Sequence, residues 1–166
     1  MNRTLRNGLL TCAAAALVAG GIALVVPATA QDMAAVDQRK ALMRSNGQFA
    51  YRAIPAFIRQ GTGTADDVVK AAVAFAEAGK KIPTVFPAGT SATDIPGKTL
   101  AKPEIWQQRA AFDAAAQNLV ALAGALEAAA KSGDKERIGQ AFTTLNTNGC
   151  NGCHNQFRLP PPPRGG

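Results

Sequence analysis

Residues 133–158 read GDKERIGQAFTTLNTNGCNGCHNQFR, and the spacing inside this stretch decides the fold. Ile138, Phe142, Leu145, Gly149, Cys153 and Phe157 follow one another at intervals of three or four, which places them on one face of a helix. Asp134, just after Gly133, stands where an N-cap is needed, and the prolines from Pro160 onward end the helix. The inward stripe of this helix therefore runs through a chemically loaded group, Cys150-Asn151-Gly152-Cys153-His154. Residues 160–166 that follow are expected to form a disordered Pro/Gly tail.

Three further helical segments precede it. Val36, Met43, Ala50 and Phe57 recur every seven residues, with Gly47 and Ile54 in the turns between. This is the apolar stripe of a first helix, which Pro55 should kink or distort near its C-terminal end and Gly61 and Gly63 should stop. Thr64 followed by Ala65-Asp66-Asp67 predicts a second N-terminus, with Val68, Ala72, Phe75 and Ala76 on the buried face as far as about Lys81. Residues 83–102 hold Pro83, Pro87, Gly89, Pro96 and Gly97 without periodicity, and a connection this long is expected to be functional or a crossover. Lys102-Pro103-Glu104 opens a third helix, whose stripe is Ile105, Phe112, Leu119, Leu122 and Leu126, closed by Ser132-Gly133. No segment alternates as a strand does, so the fold class is all-α: an antiparallel four-helix bundle over residues 31–159.

The first thirty residues read as an address. Arg3 and Arg6 precede an apolar run from Gly8 to Val26, and Ala28-Thr29-Ala30 then forms an A-x-A site. This is the pattern of a secretory signal peptide cleaved after Ala30, the alternative being an uncleaved anchor. Cleavage would remove Cys12 and deliver the rest to the periplasm, with no membrane insertion after processing. The 18 Lys and Arg against 11 Asp and Glu give a net charge of +7. That excess can steer docking to an acidic protein. No basic cluster interleaved with aromatics points to nucleic acid.

Cys-x-x-Cys-His is the attachment signature of haem c. Two thiols at helical neighbours can each add to a haem vinyl group, and the following imidazole reaches the iron as an axial ligand. Competing readings each lack something. A structural zinc site needs four protein ligands, and one His with two remaining cysteines does not supply them. A redox dithiol is expected beside a βαβ unit, and a plain disulfide leaves His154 unexplained.

Taken with the four-helix pattern, the run CNGCHNQFR, Gly133-Asp134-Lys135, Lys102-Pro103-Glu104-Ile105-Trp106 and Phe86-Pro87-Ala88-Gly89-Thr90 resemble the cytochrome c-prime family of periplasmic cytochromes. The resemblance implies one haem c, with its iron, inside the bundle, often in a homodimer made through the first two helices. It also implies a choice between two branches. In one, a Met of the first helix ligates the iron and the protein carries single electrons to a redox partner protein. In the other, the sixth position stays open and binds nitric oxide or carbon monoxide. Val36-Asp37, Leu42-Met43 and Asn46-Gly47 look like the Met-ligated branch, with Met43 at the distal position; the competing reading makes Met43 a core gap-filler that only covers the distal face. Arg39 matches a residue that family members place near a haem propionate, a solvated surface Arg being the alternative. Arg158 matches a basic residue beside the proximal imidazole. Trp106 is expected in the core near the haem. No distal His or acid/base pair suggests an enzyme.

Overall fold

Two of the helices start where a side chain satisfies the first backbone amides. At Thr64, Oγ1 accepts from the Asp67 amide at 3.2 Å while the Asp67 carboxylate accepts from the Thr64 amide at 2.9 Å, a reciprocal capping box. At Asp134 the carboxylate accepts from the amides of Glu136 and Arg137, at 2.9 and 3.2 Å. These are the caps that the sequence places there. The computed structural model describes residues 30–162; the first 29 residues of the expected signal peptide, with Cys12, and the last four residues of the tail lie outside the described residues.

Four helical rods form the bundle. The first comprises α1 (Ala30–Gln48) and two π-helical segments, Phe49–Ala53 and Ala56–Gln60. The second is α2 (Ala65–Lys81), prolonged by a 3-10 turn at Ile82–Val85. The third is α3 (Glu104–Gln107) and α4 (Arg109–Lys131), and the fourth is α5 (Lys135–Thr144), a π-helical segment Leu145–Asn151, and α6 (Gly152–Phe157). Among the described residues the one β feature is an isolated antiparallel bridge between Ala101 and Arg158. No helix of the described residues is long and apolar enough to cross a membrane.

Three rods depart from the expected regular helices. The first is already helical at Ala30, where the described residues start, and its distortion at Pro55 takes the form of π turns on both sides of the proline. A proline lacks the amide that an α-helical turn needs, and wider turns re-register the remaining bonds around it. The third rod is interrupted at Gln108, whose φ of −118° and ψ of 46° leave the helical region. The fourth widens over Leu145–Asn151, a segment that includes Cys150, and the Gly152 amide reaches the Thr147 carbonyl five residues back.

Small residues let α2 and α4 pack closely. A Cβ at Gly79 would stand 2.6 Å from Val120 Cγ2 and 3.0 Å from the Ala116 carbonyl oxygen, so only glycine allows this approach. The core between the rods is Val68, Ala72 and Phe75 of α2 against Phe112, Ala116, Leu119, Ala123 and Leu126 of α4, with Ile138, Leu145 and Phe157 from the last rod. Packing of α1 is extensive only towards its own π continuation, α2 and the 3-10 turn, which leaves room between its middle and the last rod.

Candidate haem site

That room is a cavity of about 970 Å³, at the upper end of the range for ligand sites of roughly 300–1,000 Å³. Its walls come from every rod: Met43 and Gly47 of α1, Phe75 of α2, Phe112, Ala116 and Leu119 of α4, and Gly149, Cys150, Cys153 and His154 of the last rod. A Cβ at Gly47 would meet nothing within 4 Å, so the α1 backbone borders open space beside Met43. Gly149 does the opposite work: its missing side chain admits Leu119 and Leu122, whose Cδ1 atoms would lie 3.4 and 3.3 Å from a Cβ there.

The signature group sits where the π segment gives way to α6. Both thiols are free and half-buried, and burial pushes the Cys150 thiol up and the Cys153 thiol up to about 11. His154 is half-buried too. Burial first, and the Arg158 charge second, hold its imidazole below the ordinary 6.5, so the neutral form that can donate a lone pair to a metal is favoured. The end of α6 is clamped from the residue just ahead of the third rod: the Lys102 ammonium donates to the carbonyls of Asn155 and Gln156, and the Lys102 amide donates to that of Phe157. Lysine at a helix C-terminus satisfies carbonyls that the helix leaves unpaired. This explains the Lys102-Pro103 start in structural terms.

Arg39 corrects the solvated alternative. The residue is 4% exposed, and its guanidinium is spent on the long connection: Nη1 donates to Thr90 Oγ1 at 3.1 Å, Nη2 to the Thr90 carbonyl at 2.6 Å and to Thr99 Oγ1 at 3.2 Å. It also lies 4.7 Å over the Phe86 ring. Burial lowers its pKa to about 10. The buried Nε has no partner, and no carboxylate is among the groups that Arg39 binds. A buried guanidinium facing a cavity with an unused donor suits an anionic group on a ligand.

Trp106 packs against the core, as expected. It is half-buried and does not line the cavity; its Nε1 donates to the carbonyls of Phe86 and Pro87 at 3.2 and 3.1 Å, so it fastens the long connection. The aromatics at the cavity are instead Phe75, Phe86, Phe112 and Phe157. Phe112 packs edge-on against Phe86 and Phe157, with centroids 4.9 and 5.3 Å apart. Sequence reasoning reached Met43, Cys150, Cys153, His154 and Arg158, all of which line this one cavity, and missed Phe86, Thr90 and Thr99 as its supporting wall. The signals for them were the length of the aperiodic connection and, for Phe86 and Thr90, the run Phe86-Pro87-Ala88-Gly89-Thr90 that carries part of the resemblance.

A large apolar cavity, two thiols beside an imidazole, and an unsatisfied buried cation are what a flat apolar macrocycle with carboxylate arms requires, so the residues present fit haem. The comparisons agree. Residues 34–158 match the family described as cytochrome C'. The cytochrome c' of Rhodospirillum rubrum is 31% identical over 145 residues, covering 86% of this chain and 95% of that protein. The solved cytochrome c' of Rhodopseudomonas palustris superposes with a TM-score of 0.66 at 30% identity, covering 77% of this chain and 98% of that one. A further solved cytochrome c', described for an unusual ligand-controlled dimer dissociation, gives 0.69 at 25% identity, covering 78% and 97%.

The fold and cavity define a helical-bundle haem c protein, cytochrome c' itself being a known example of the up-down-up-down architecture. The chain belongs to the cytochrome c' family. Its cofactor is haem c with iron.

Proposed function

We propose that the protein is a periplasmic carrier of single electrons, with haem attached through Cys150 and Cys153 and iron ligated by His154 and Met43. The observation that carries this reading is that Met43 of α1 and His154 of α6 line the same cavity from different rods. Bound there, haem supplies a one-electron couple, and a thioether ligand raises its potential. The chain's own residues do the rest. Phe75, Phe86, Phe112 and Phe157 keep water from the site, and the packed bundle holds both ligand side chains in place before and after an electron moves. Arg39 receives a propionate, and Arg158 keeps positive charge beside the imidazole. No turnover chemistry is assigned, since the one imidazole of the sequence is committed to iron.

The A-x-A site before Gln31 supports export. The neighbour described for dimer dissociation supports a homodimer.

The family match itself favours a second reading, an open sixth position that binds nitric oxide or carbon monoxide while Met43 only covers it. Absorption spectra of the purified holoprotein separate the two. The carrier reading expects a low-spin spectrum in both oxidation states, unmoved by carbon monoxide. A high-spin ferrous spectrum that shifts on adding carbon monoxide assigns gas binding instead.

A further inference from the structure

The net positive charge of the described residues is confined to one place. Lys40 and Arg44 of α1, Lys98 of the long connection and Arg158 after α6 are all exposed, and all four line the cavity where it opens to solvent. No Asp or Glu lines it with them. Asp37 and Asp94, the acids nearest in sequence, stay outside the lining, and Asp94 is engaged by the amide and hydroxyl of Ser91 at 2.9 and 2.6 Å. None of the four cations forms an ion pair with a described residue; Lys70, Lys80, Arg109 and Lys131 elsewhere do, while Arg52, Arg59, Lys81, Lys102, Lys135 and Arg137 do not, so what sets the four apart is their grouping about one cavity. Once the charged cavity residues are set aside, the remaining described Lys and Arg are matched within one charge by Asp and Glu.

We infer that this rim is the docking surface for a protein whose own contact face is acidic, and that it brings that partner to the mouth of the haem cavity. The inference rests on the carrier reading for its purpose and on charge placement for its site. Exposed charges of one sign around an opening focus the field there and orient an oppositely charged protein as it approaches. Ion pairs already formed within a surface have no such reach. Rim charges act chiefly on encounter and are screened over about 8–10 Å at physiological salt, so the complex should be weak, fast and salt-sensitive.

The test uses ferric holoprotein and poly-L-glutamate as the acidic probe, titrated by calorimetry at low salt. Lys40→Glu/Lys98→Glu should weaken binding by about tenfold or more, and Lys40→Gln/Lys98→Gln by less. Lys81→Glu/Arg137→Glu removes the same charge from exposed sites elsewhere and should change binding by less than about threefold. Equal weakening by both charge-reversed pairs would reduce the effect to net charge and overturn the inference. So would wild-type protein that ignores poly-L-glutamate, including protein that instead binds phosphatidylglycerol vesicles. Spectra of the same samples keep the two ideas apart: a high-spin spectrum removes the carrier reading without touching the binding comparison.

Discussion

Arg39 holds Thr90 by two bonds, from Nη1 to the hydroxyl and from Nη2 to the carbonyl, and so ties the middle of α1 to a connection fifty-one residues away in sequence. The arrangement matters because α1 otherwise packs lightly against the last rod, and the cavity lies between them. Arg39 therefore fixes the spacing of the wall that carries Met43.

Replacing Arg39 by Met removes all three bonds to Thr90 and Thr99 while keeping an apolar stem of similar length. Hydrogen bonds from a charged group are worth roughly 1.5–3 kcal/mol each, but part of the loss is recovered by not burying the charge. The expected net destabilisation is about 2–3 kcal/mol by urea unfolding of the holoprotein. Arg39→Lys should recover little, because an ammonium cannot reproduce the fork. A loss below about 0.5 kcal/mol would mean that the network is idle.

Two glycines should respond with opposite signs. Gly79→Ala forces a methyl group against Val120 and the Ala116 carbonyl, and overpacking of this kind costs about 1–3 kcal/mol. Gly124, exposed in the interior of α4, has nothing within 4 Å of a Cβ, so Gly124→Ala should stabilise by about 0.5–1 kcal/mol through helix propensity. Thermal melts of the two variants check this. A Gly79→Ala melt at or above wild type would contradict the close approach of α2 and α4.

The cap of α2 should be acid-sensitive. Hydrogen bonds from the Thr64 hydroxyl and amide hold the Asp67 carboxyl below its ordinary 3.8. A lowered folded-state pKa means that the contribution is complete above 3.8 and disappears as pH falls through the folded value. Asp67→Asn should therefore flatten part of the fall in stability below 3.8, and leave its slope near neutral pH unchanged. An unaltered acid limb would show that the cap does not titrate.

Attachment can be tested without any spectrum of the folded protein. Haem should stay with the chain on a denaturing gel, persist in Cys150→Ala and Cys153→Ala singly if one thioether forms, and be lost from the double variant. Retention in the double variant would contradict attachment through these thiols.

What could be read from the sequence was local. Thr64 and Asp134 carry their capping chemistry in the side chain itself, and the stripes through Phe112 and Leu126 or Ile138 and Leu145 require only helical periodicity. The signature group was legible because its chemistry depends on adjacent residues. Pro55 announces a distortion but not that it takes the form of π turns, and the π turns through Cys150 and the break at Gln108 depend on how a rod meets its neighbours, which no residue type announces. Arg39 matches a propionate-side residue in the resemblance, with a solvated surface position as the alternative, and its bonds to Thr90 and Thr99 could not be foreseen because those partners come from a connection without periodicity. Gly79 gave no signal either, since only the positions of Val120 and the Ala116 carbonyl make a side chain there too large.

The measurement that bears most directly on the account is the absorption spectrum of Met43→Ala holoprotein beside that of wild type, in both oxidation states and with carbon monoxide added. If Met43 is the sixth ligand, the wild type is low-spin and indifferent to carbon monoxide, and the variant becomes high-spin and binds it. Identical spectra for the two proteins would contradict the account and leave Met43 as a wall of the cavity.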